Sequence, residues 1–269
     1  MVSPVLKVRD VSVAIERKRI VEGVSVTARA GEVLAIIGPN GSGKTTLMKA
    51  LSSELDHEGD IALNGRPLRT LPPRAAATIR AVMPQASVLS FPFTVREVVR
   101  LGLSAGLGVL PAQREVVVEA ALRRVDLAGF GGRMYQSLSG GEQQRVQLAR
   151  VLCQVWQPVF QGTPRLLLLD EPVSSLDIKH QLLVMEIARG FAAAGGAVVA
   201  ILHDLNLAAL YADQVLVMSE GRRAACGAPA EMLDIALVRE VFGCELTTLQ
   251  LPNGTPLFAP AVATQLAAE

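Results

Sequence analysis

Phosphate binding is the first chemistry that the sequence suggests, from a glycine-rich segment that reads Gly38-Pro39-Asn40-Gly41-Ser42-Gly43-Lys44-Thr45-Thr46. The apolar run 33–37 precedes it and a helical pattern follows, which is the strand-to-helix context that such a loop requires. Glycines let successive N–H groups face an anion, and the positive end of the helix adds to the attraction. Lys44 is expected to reach the β and γ phosphates, and the Thr45 hydroxyl to ligate Mg²⁺. The segment predicts that the chain binds a nucleoside triphosphate.

Two adjacent acids offer the next chemistry. Asp170 and Glu171 directly follow the four leucines 166–169, a run typical of a strand buried on both faces of a parallel sheet. Ligands of such sheets bind at the carboxyl ends of the strands, which is where the two acids are expected. Asp170 suits a Mg²⁺ ligand, usually through water, and Glu171 suits the base that orients and deprotonates the attacking water.

A second anion site is predicted in the segment Leu138-Ser139-Gly140-Gly141-Glu142-Gln143-Gln144-Arg145, called the signature segment below. Ser139 and Glu142 have the spacing of a capping box, which would explain a well-capped helix. It does not explain Gly140 and Gly141, since each glycine costs about 1 kcal/mol relative to alanine inside a helix. Glycines at a helix start suit close approach of an anion. One triphosphate does not need both sites, so we predict a head-to-tail dimer in which two copies enclose each ATP.

The elements that must position these groups follow from the apolar pattern. Two or three strands are predicted over residues 5–29, from the apolar segments 6–8 with 11–13, 20–21 and 24–26. Later strands are predicted at 60–63, 81–85, 166–169, 197–202 and 214–218. Helices are predicted at 74–79, 112–125, 139–155, 179–193, 205–211 and near 229–242. Another helix is predicted to start at Thr94, which would be its N-cap. Residues 252–254, Pro-Asn-Gly, indicate the turn of a final hairpin. The chain is expected to be a single domain, 1–269, with a nucleotide-binding core (1–85 and 160–225), a helical subdomain (86–159) and a tail (226–269).

Bulk properties narrow the classes of function. The 269 residues carry 26 Lys and Arg against 25 Asp and Glu, a net charge of +1 that gives no general attraction for nucleic acid. Cys153, Cys226 and Cys244 are far apart, which indicates a reducing compartment and no cysteine metal site. The longest apolar run, 191–202, is too short to span a bilayer, and the chain does not open on a signal-peptide pattern. The mean hydropathy of +0.37 is high and favours an apolar core or a docking surface.

The order of these motifs resembles the nucleotide-binding subunits of ABC transporters, from near the start of the chain to about residue 225. The resemblance rests on residues 38–46, Gln85, the signature segment, residues 166–171, Ser174-Ser175-Leu176-Asp177 and His203. It implies that Gln85 senses Mg²⁺ and the attacking water and touches the permease, that Asp177 contacts the dimer partner, and that His203 contacts the γ-phosphate. From the residues alone, His203 is as readily a residue at the start of a helix.

The resemblance also implies the fold and the site. The fold would be α/β: a P-loop NTPase (ABC ATPase) core with a mixed, largely parallel sheet, an N-terminal antiparallel β subdomain and an inserted helical subdomain. Glu171, His203 and Gln85 would be catalytic. Thr45, Gln85 and Asp170 would hold Mg²⁺, and residues 38–46 with Ser139, Gly140 and Gly141 would bind ATP.

One departure concerns the nucleobase. The family usually has an aromatic residue in the N-terminal hairpin that stacks on adenine, and this position falls near Ile15. Tyr and Trp are absent from the first strands. Recognition of the base is therefore expected to be weaker than recognition of the phosphates.

Softer features indicate the class of cargo. His203-Asp204-Leu205-Asn206-Leu207-Ala208 and Ser90-Phe91-Pro92-Phe93-Thr94-Val95 are similar to importers of iron chelates, cobalamin and haem, and residues 156–164 favour haem within that class. The resemblance implies a homodimer beside two integral-membrane permease subunits, served indirectly by a periplasmic substrate-binding protein. The complex would sit at the cytoplasmic face of the bacterial inner membrane. Ferric-siderophore or cobalamin import is the alternative.

Other classes of ATPase fit the sequence less well. DNA-repair and condensin ABC proteins insert a long coiled coil between the phosphate loop and the signature segment, and translation factors carry two cassettes. A simple P-loop kinase has no use for the Leu-Ser-Gly-Gly-Glu sequence that opens the signature segment. Exporters usually fuse the cassette to membrane spans. An importer subunit is the remaining interpretation, with a non-transport ABC ATPase as the alternative from another class.

Overall fold

The computed structural model describes residues 4–85, 91–105, 108–252 and 254–261. The strands are β1 (Pro4–Ile15), β2 (Lys18–Arg29), β3 (Val33–Ile37), β4 (Glu58–Leu63), β5 (Arg66–Pro67), β6 (Arg80–Met83), β7 (Val159–Phe160), β8 (Thr163–Pro164), β9 (Leu166–Asp170), β10 (Ala197–Ile201), β11 (Gln214–Ser219), β12 (Arg222–Gly227), β13 (Leu246–Gln250) and β14 (Pro256–Pro260). The α-helices are α1 (Lys44–Leu51), α2 (Pro73–Ile79), α3 (Val95–Ala105), α4 (Arg114–Arg124), α5 (Gly140–Gln154), α6 (Ile178–Ala193), α7 (Leu205–Tyr211), α8 (Pro229–Met232) and α9 (Ile235–Phe242).

The central sheet has the strand order β12-β11-β3-β10-β9-β6, parallel except for the antiparallel edge strand β12. Every residue of β3, β9 and β10 is buried because helices or the second sheet cover both faces. Side chains of β3 alternate between the faces: Val33 and Ile37 join one apolar cluster, and Leu34 and Ile36 the other. The phosphate loop, Asp170 and His203 all follow parallel strands of this sheet. The sheet therefore brings them to the same edge, and the predicted α/β fold class is confirmed.

The second sheet is antiparallel, in the order β2-β1-β4-β5. Of the two or three strands predicted over residues 5–29, the structure has two, β1 and β2, and the pairing of β1 with β2 shifts register between Val8 and Val11. Asp10, with φ of +46°, lies at this bulge, which interrupts the alternation without ending the strand. The turn after β4 is confirmed, with Asn64 and Gly65 both at positive φ.

Helices α3, α4 and α5 pack together beside the central sheet. Thr94 caps α3 as predicted, since its hydroxyl lies 3.3 Å from the Glu97 N–H and the Glu97 carboxylate accepts from the Thr94 N–H at 2.7 Å. The helix predicted at 112–125 begins later, at Arg114, after a 3₁₀ turn at Pro111–Gln113. Proline suits this first turn because it has no N–H to pair.

Four of the described strands were not predicted from the sequence. β5 pairs with β4, β12 closes one edge of the central sheet, and β7 and β8 form a two-stranded hairpin. β5, β7 and β8 have two residues each and β12 has no buried residue, so none of them carries a periodic apolar signal. Of the residues with predicted roles, Ser90 lies outside the described part of the chain, as does the central residue, Asn253, of the final turn. No helix within the described ranges is long and apolar enough to cross a membrane.

Candidate nucleotide-binding site

The loop between β3 and α1 has the backbone of a phosphate cradle. Gly41 and Gly43 have φ of +80° and +95°, which other residues rarely adopt. At Gly38, φ is +149° and a side chain would collide with the backbone carbonyl of Met218 on β11. The glycines are thus required by the turn and by the close approach of a neighbouring strand. Helix α1 begins directly afterwards, at Lys44, with its first N–H groups towards the loop.

Lys44 is buried and its ammonium group lies on the loop itself. Its Nζ donates to the carbonyls of Gly38 at 2.8 Å and Pro39 at 2.9 Å. Burial lowers the pKa of Lys44, and the nearby carboxylates of Glu171 and Asp170 oppose this shift. An ammonium group held only by neutral carbonyls has little compensation for its lost hydration, so an anion in the cradle would be strongly attracted.

Asp170 ends strand β9 and is 4% exposed. Its Oδ1 has no hydrogen-bond partner among the described residues. Burial, and then repulsion from Glu171, raises the pKa of Asp170 to about 6. A buried carboxyl oxygen without a partner fits a hard divalent cation, which prefers oxygen ligands. The donor set therefore suits Mg²⁺, with the Thr45 hydroxyl lining the same cavity.

Glu171 is the centre of the predicted catalytic group. Its Oε1 lies 2.7 Å from the Nε2 of His203, and its Oε2 accepts from the Nε2 of Gln85 at 2.9 Å. The backbone of Glu171 has φ of +50°, an uncommon conformation for a residue with a side chain, and one that accumulates at functional sites. Residues from three separate strands thus meet at one carboxylate. Such a carboxylate could accept a proton from a bound water, since both oxygens are fixed in direction.

Two cavities adjoin at Thr45. The first, of about 180 Å³, is lined by the phosphate loop and by Ile20, Glu171 and His203. The second, of about 280 Å³, is lined among others by Thr45, Gln85 and Asp170. The predicted phosphate and metal ligands therefore separate into two neighbouring spaces, as a nucleotide with its cation requires.

The signature segment forms the predicted capping box but lies apart from these cavities. The Ser139 hydroxyl accepts from the Glu142 N–H at 3.3 Å, and the Glu142 carboxylate accepts from the Ser139 N–H at 2.8 Å. Ser139 and Gly140 are exposed, and neither they nor Gly141 line either cavity. A side chain at Gly140 would meet nothing within 4 Å, whereas one at Gly141 would approach the Ser175 carbonyl at 2.9 Å. Packing within the chain is therefore enough to explain a glycine at position 141, without an anion. It does not explain the glycine at position 140.

Comparison with known proteins identifies the family. Residues 21–174, which include the phosphate loop, the signature segment and Glu171, match the family described as "ABC transporter". The chain belongs to the ABC transporter family. It is thus an ABC ATPase by fold and by the presence of the ATP-hydrolysing motifs, as the sequence predicted.

Relatives of this ABC protein extend over nearly its whole length. The "Hemin import ATP-binding protein HmuV" of Mesorhizobium japonicum is 62% identical over 254 residues, which is 94% of this chain and 97% of the relative. The protein of the same name from Chelativorans is 57% identical over 96% of this chain and 99% of the relative. A solved "ATP binding subunit of ABC transporter" superposes with a TM-score of 0.75 at 27% identity, covering 89% of this chain and 93% of that one.

The nucleobase end of the ABC site carries the departure from the family pattern that the sequence indicated at Ile15. Ile15, aligned with the usual aromatic position, is 41% exposed next to the tip of the β1–β2 hairpin. Ile20, on the returning strand β2, lines the phosphate-loop cavity instead. The sequence did not single out Ile20, because an isoleucine in a strand carries no chemical signal.

One residue of helix α5 contacts the predicted catalytic group. The Gln144 side chain donates to the Glu171 carbonyl at 2.8 Å, which connects the signature segment to Glu171. Phe91 and Phe93 differ in burial: Phe91 is 69% exposed, while Phe93 packs against the core, and their rings are edge to face at 6.3 Å. Asp177 caps α6 by accepting from the His180 N–H at 2.9 Å.

Proposed function

We propose that this chain is the ATP-hydrolysing subunit of a haem importer, and that Glu171 positions and deprotonates the water that attacks ATP. The observation that carries the chemistry is the Glu171 carboxylate, held at one oxygen by His203 and at the other by Gln85. The cargo is inferred from the hemin-import names of relatives that are 62% and 57% identical.

Lys44, the loop amides and α1 would bind the β and γ phosphates of ATP. Asp170 and Thr45 would hold Mg²⁺ with Gln85 nearby, and this ion would neutralise charge on the phosphates. His203 reaches Glu171 from the neighbouring strand and would contact the γ-phosphate. Because Gln85 binds the same carboxylate, loss of the γ-phosphate would change the contacts of the permease-facing loop that begins at Gln85.

The site in one copy is incomplete, and this supports a homodimer. Ser139 and Gly140 are exposed at the positive end of α5, yet the phosphate cavity in the same chain does not include them. A head-to-tail pair would place this helix end of one copy over the phosphate loop of the other. Two such copies are the number that two permease subunits would require.

A groove beside the site would receive the permease. It has a volume of about 770 Å³ and lies between the end of α1, α2 and α5. Ser52 and Val82 line both this groove and the cavity of Gln85, so an occupant of the groove would bear on the loop that holds Gln85. The subunit would then be a peripheral protein at the cytoplasmic face of the inner membrane, with a periplasmic binding protein delivering cargo to the other side.

The test is growth of the encoding organism after deletion of the gene, with iron supplied only as haemin, only as a ferric siderophore, or in excess. We expect failure on haemin alone, restored by the wild type but not by Glu171→Gln, because loss of a general base typically costs roughly 10²–10⁴ in rate. Glu231→Gln, on an exposed position of α8, is the matched control and should restore growth. Normal growth on haemin with failure on the siderophore would assign the chain to siderophore import instead.

A further inference from the structure

The C-terminal hairpin packs on the helix that follows His203. Phe258 of β14 is 8% exposed and belongs to the same apolar cluster as Leu207 of α7. Helix α7 has only seven residues, too few to fix its own position through internal hydrogen bonds. Its location therefore depends on the elements packed against it, and β14 is one of them.

One side chain makes this contact directional. The Nδ2 of Asn206 donates to the Phe258 carbonyl at 3.1 Å, and its Oδ1 accepts from the Phe258 N–H at 2.7 Å. Phe258 directs both of its backbone groups to Asn206, so the amide takes the place that a neighbouring peptide group would take at the outer edge of β14. Both ends of the Asn206 amide are thereby fixed.

The other end of the same segment reaches the catalytic carboxylate. Asp204 caps α7 by accepting from the Asn206 N–H at 2.7 Å and the Leu207 N–H at 3.1 Å. His203, the preceding residue, lies 2.7 Å from Glu171. Four consecutive residues therefore connect the tail hairpin to the reacting group.

We propose that Asn206 is a positioning residue for ATP hydrolysis: by tying the C-terminal hairpin to the first turn of α7, it holds His203 against Glu171. This inference rests on the roles proposed above for His203 and Glu171. It gives the hairpin β13–β14 a part in turnover through the two hydrogen bonds that join Phe258 to Asn206.

The test compares kcat, KM for ATP and the number of ATP-binding sites in Asn206→Ala, Asn206→Asp and Asp234→Ala. Asn206→Ala is expected to lower kcat by roughly tenfold to a hundredfold, the range that a displacement of about 1 Å can cause, with KM nearly unchanged. Asn206→Asp keeps the acceptor for Phe258 but loses the donor, so an intermediate kcat is expected. Asp234 caps α9 in the tail by accepting from the Leu237 N–H at 2.7 Å. Its replacement removes a helix cap of comparable kind but leaves both hydrogen bonds between Asn206 and Phe258 in place. Asp234→Ala should keep the wild-type kcat.

A double variant separates positioning from general stability. If Asn206 acts through His203, Asn206→Ala should cause no further loss in a His203→Ala background, because groups that act as a unit are not additive. A wild-type kcat in Asn206→Ala, an equal loss in Asp234→Ala, or full additivity in the double variant would each overturn the proposal. Wild-type activity of His203→Ala would instead remove the proposed role of His203, and this outcome is separate from the first three.

Discussion

At the scale of single residues, the site consists of groups held in unfavourable states. Asp170 is buried with an unpartnered oxygen, Lys44 is buried on neutral carbonyls, and Glu171 has a backbone φ of +50°. Each of these costs free energy in the absence of ligand and is relieved, or put to use, when a phosphate and a cation are bound. Stability and activity are therefore expected to oppose one another at this position.

Asp170→Asn tests this opposition. The folded protein raises the pKa of Asp170 from 3.8 to about 6, so the charged carboxylate is disfavoured by folding. Replacement by the neutral amide should raise the free energy of unfolding by about 1–3 kcal/mol at neutral pH. Hydrolysis of Mg-ATP should be lost, because the cation loses its carboxylate ligand. Chemical denaturation without nucleotide or Mg²⁺ measures the first effect.

The sign of the pH dependence follows from the raised pKa. Below pH 3.8 the carboxyl group is protonated in both the folded and the unfolded state, so the variant has no advantage. The advantage should grow as the pH rises towards 6 and stay constant above it. An unfolding free energy of Asp170→Asn below that of the wild type at pH 7 would contradict this account.

Base selectivity is expected to be weak. Ile15, aligned with the usual stacking aromatic, is 41% exposed and has no ring to stack on a base, and stacking is worth roughly 1–3 kcal/mol per base in nucleic-acid complexes. Ile20 lines the cavity of the phosphate loop. We therefore expect kcat/KM for ATP and GTP to differ by less than about tenfold, and Ile20→Ala to lower both by the same factor. A preference for ATP of about a hundredfold would mean that another group recognises adenine.

At the scale of elements, helix α5 connects the two halves of the site. Its first residue, Gly140, is open to solvent, Gly141 packs against Ser175, and Gln144 donates to the Glu171 carbonyl. Further along, Gln154 donates to the carbonyls of Ala77 and Arg80 at 2.8 and 3.0 Å. The helix that presents Gly140 to solvent thus also contacts Glu171, through Gln144, and strand β6, through Gln154.

The two glycines of α5 should respond differently to alanine. Gly141→Ala brings a methyl group to 2.9 Å from the Ser175 carbonyl and should destabilise the protein by about 1–3 kcal/mol. Gly140→Ala meets no atom and should leave stability unchanged or raise it by up to about 1 kcal/mol. If a second copy presents its γ-phosphate here, Gly140→Ala should nevertheless lose most ATP hydrolysis. Thermal melts of both variants measure the effect on packing, and steady-state ATP turnover measures the effect on the approach of a second copy. Wild-type turnover of Gly140→Ala would count against a second copy binding its γ-phosphate at this helix end.

The hairpin of β7 and β8 joins distant parts of the chain. The Asn64 side chain, at the end of β4, donates to the Pro164 carbonyl at 2.9 Å, and Gln157 donates to the Gly108 carbonyl at 3.3 Å. The Arg165 guanidinium lies 4.9 Å from the centre of the Phe160 ring. This insertion, which favoured haem importers in the sequence, is therefore a packed brace between the antiparallel sheet and the helical region.

At the scale of the whole molecule, the proposed dimer would divide each site between two copies. The phosphate loop with Asp170, Glu171 and His203 would form one half, and the exposed end of α5 in the other copy would form the second half. A symmetric pair with each half facing the other gives two equivalent sites. The dependence of each ATP site on both copies can be tested without knowledge of the permease.

Mixed dimers of two variants test whether one ATP site needs residues of both copies. Both variants contain Glu171→Gln to retain bound ATP; one adds Lys44→Ala to remove phosphate binding, and the other adds Ser139→Arg to block the helix end. Neither variant alone should occlude ATP, whereas the mixed dimer keeps one site with two intact halves and should occlude one ATP. Differently tagged copies and filter retention of labelled ATP give the measurement. Absence of occluded nucleotide in the mixed dimer, with occlusion by Glu171→Gln alone, would refute the head-to-tail arrangement.

The sequence by itself determined the features that depend on neighbouring residues. The glycine loop, the Asp170–Glu171 pair and the capping box at Ser139 were predictable because their chemistry lies within a few positions of the chain. The buried parallel strands were predictable from continuous apolar runs, and these indicated the edge at which His203 would emerge.

The tertiary structure decided what depends on residues far apart in the chain. Gln85 and Glu171 are 86 positions apart, and Asn206 and Phe258 are 52 apart, yet each pair shares a hydrogen bond. The sequence could not show that Ile20 lines the phosphate-loop cavity, or separate the reason for Gly141 from that for Gly140, since both depend on which surface faces the residue after folding. Local patterns fix backbone conformation, whereas side-chain partners are fixed only when strands and helices from distant segments pack against each other.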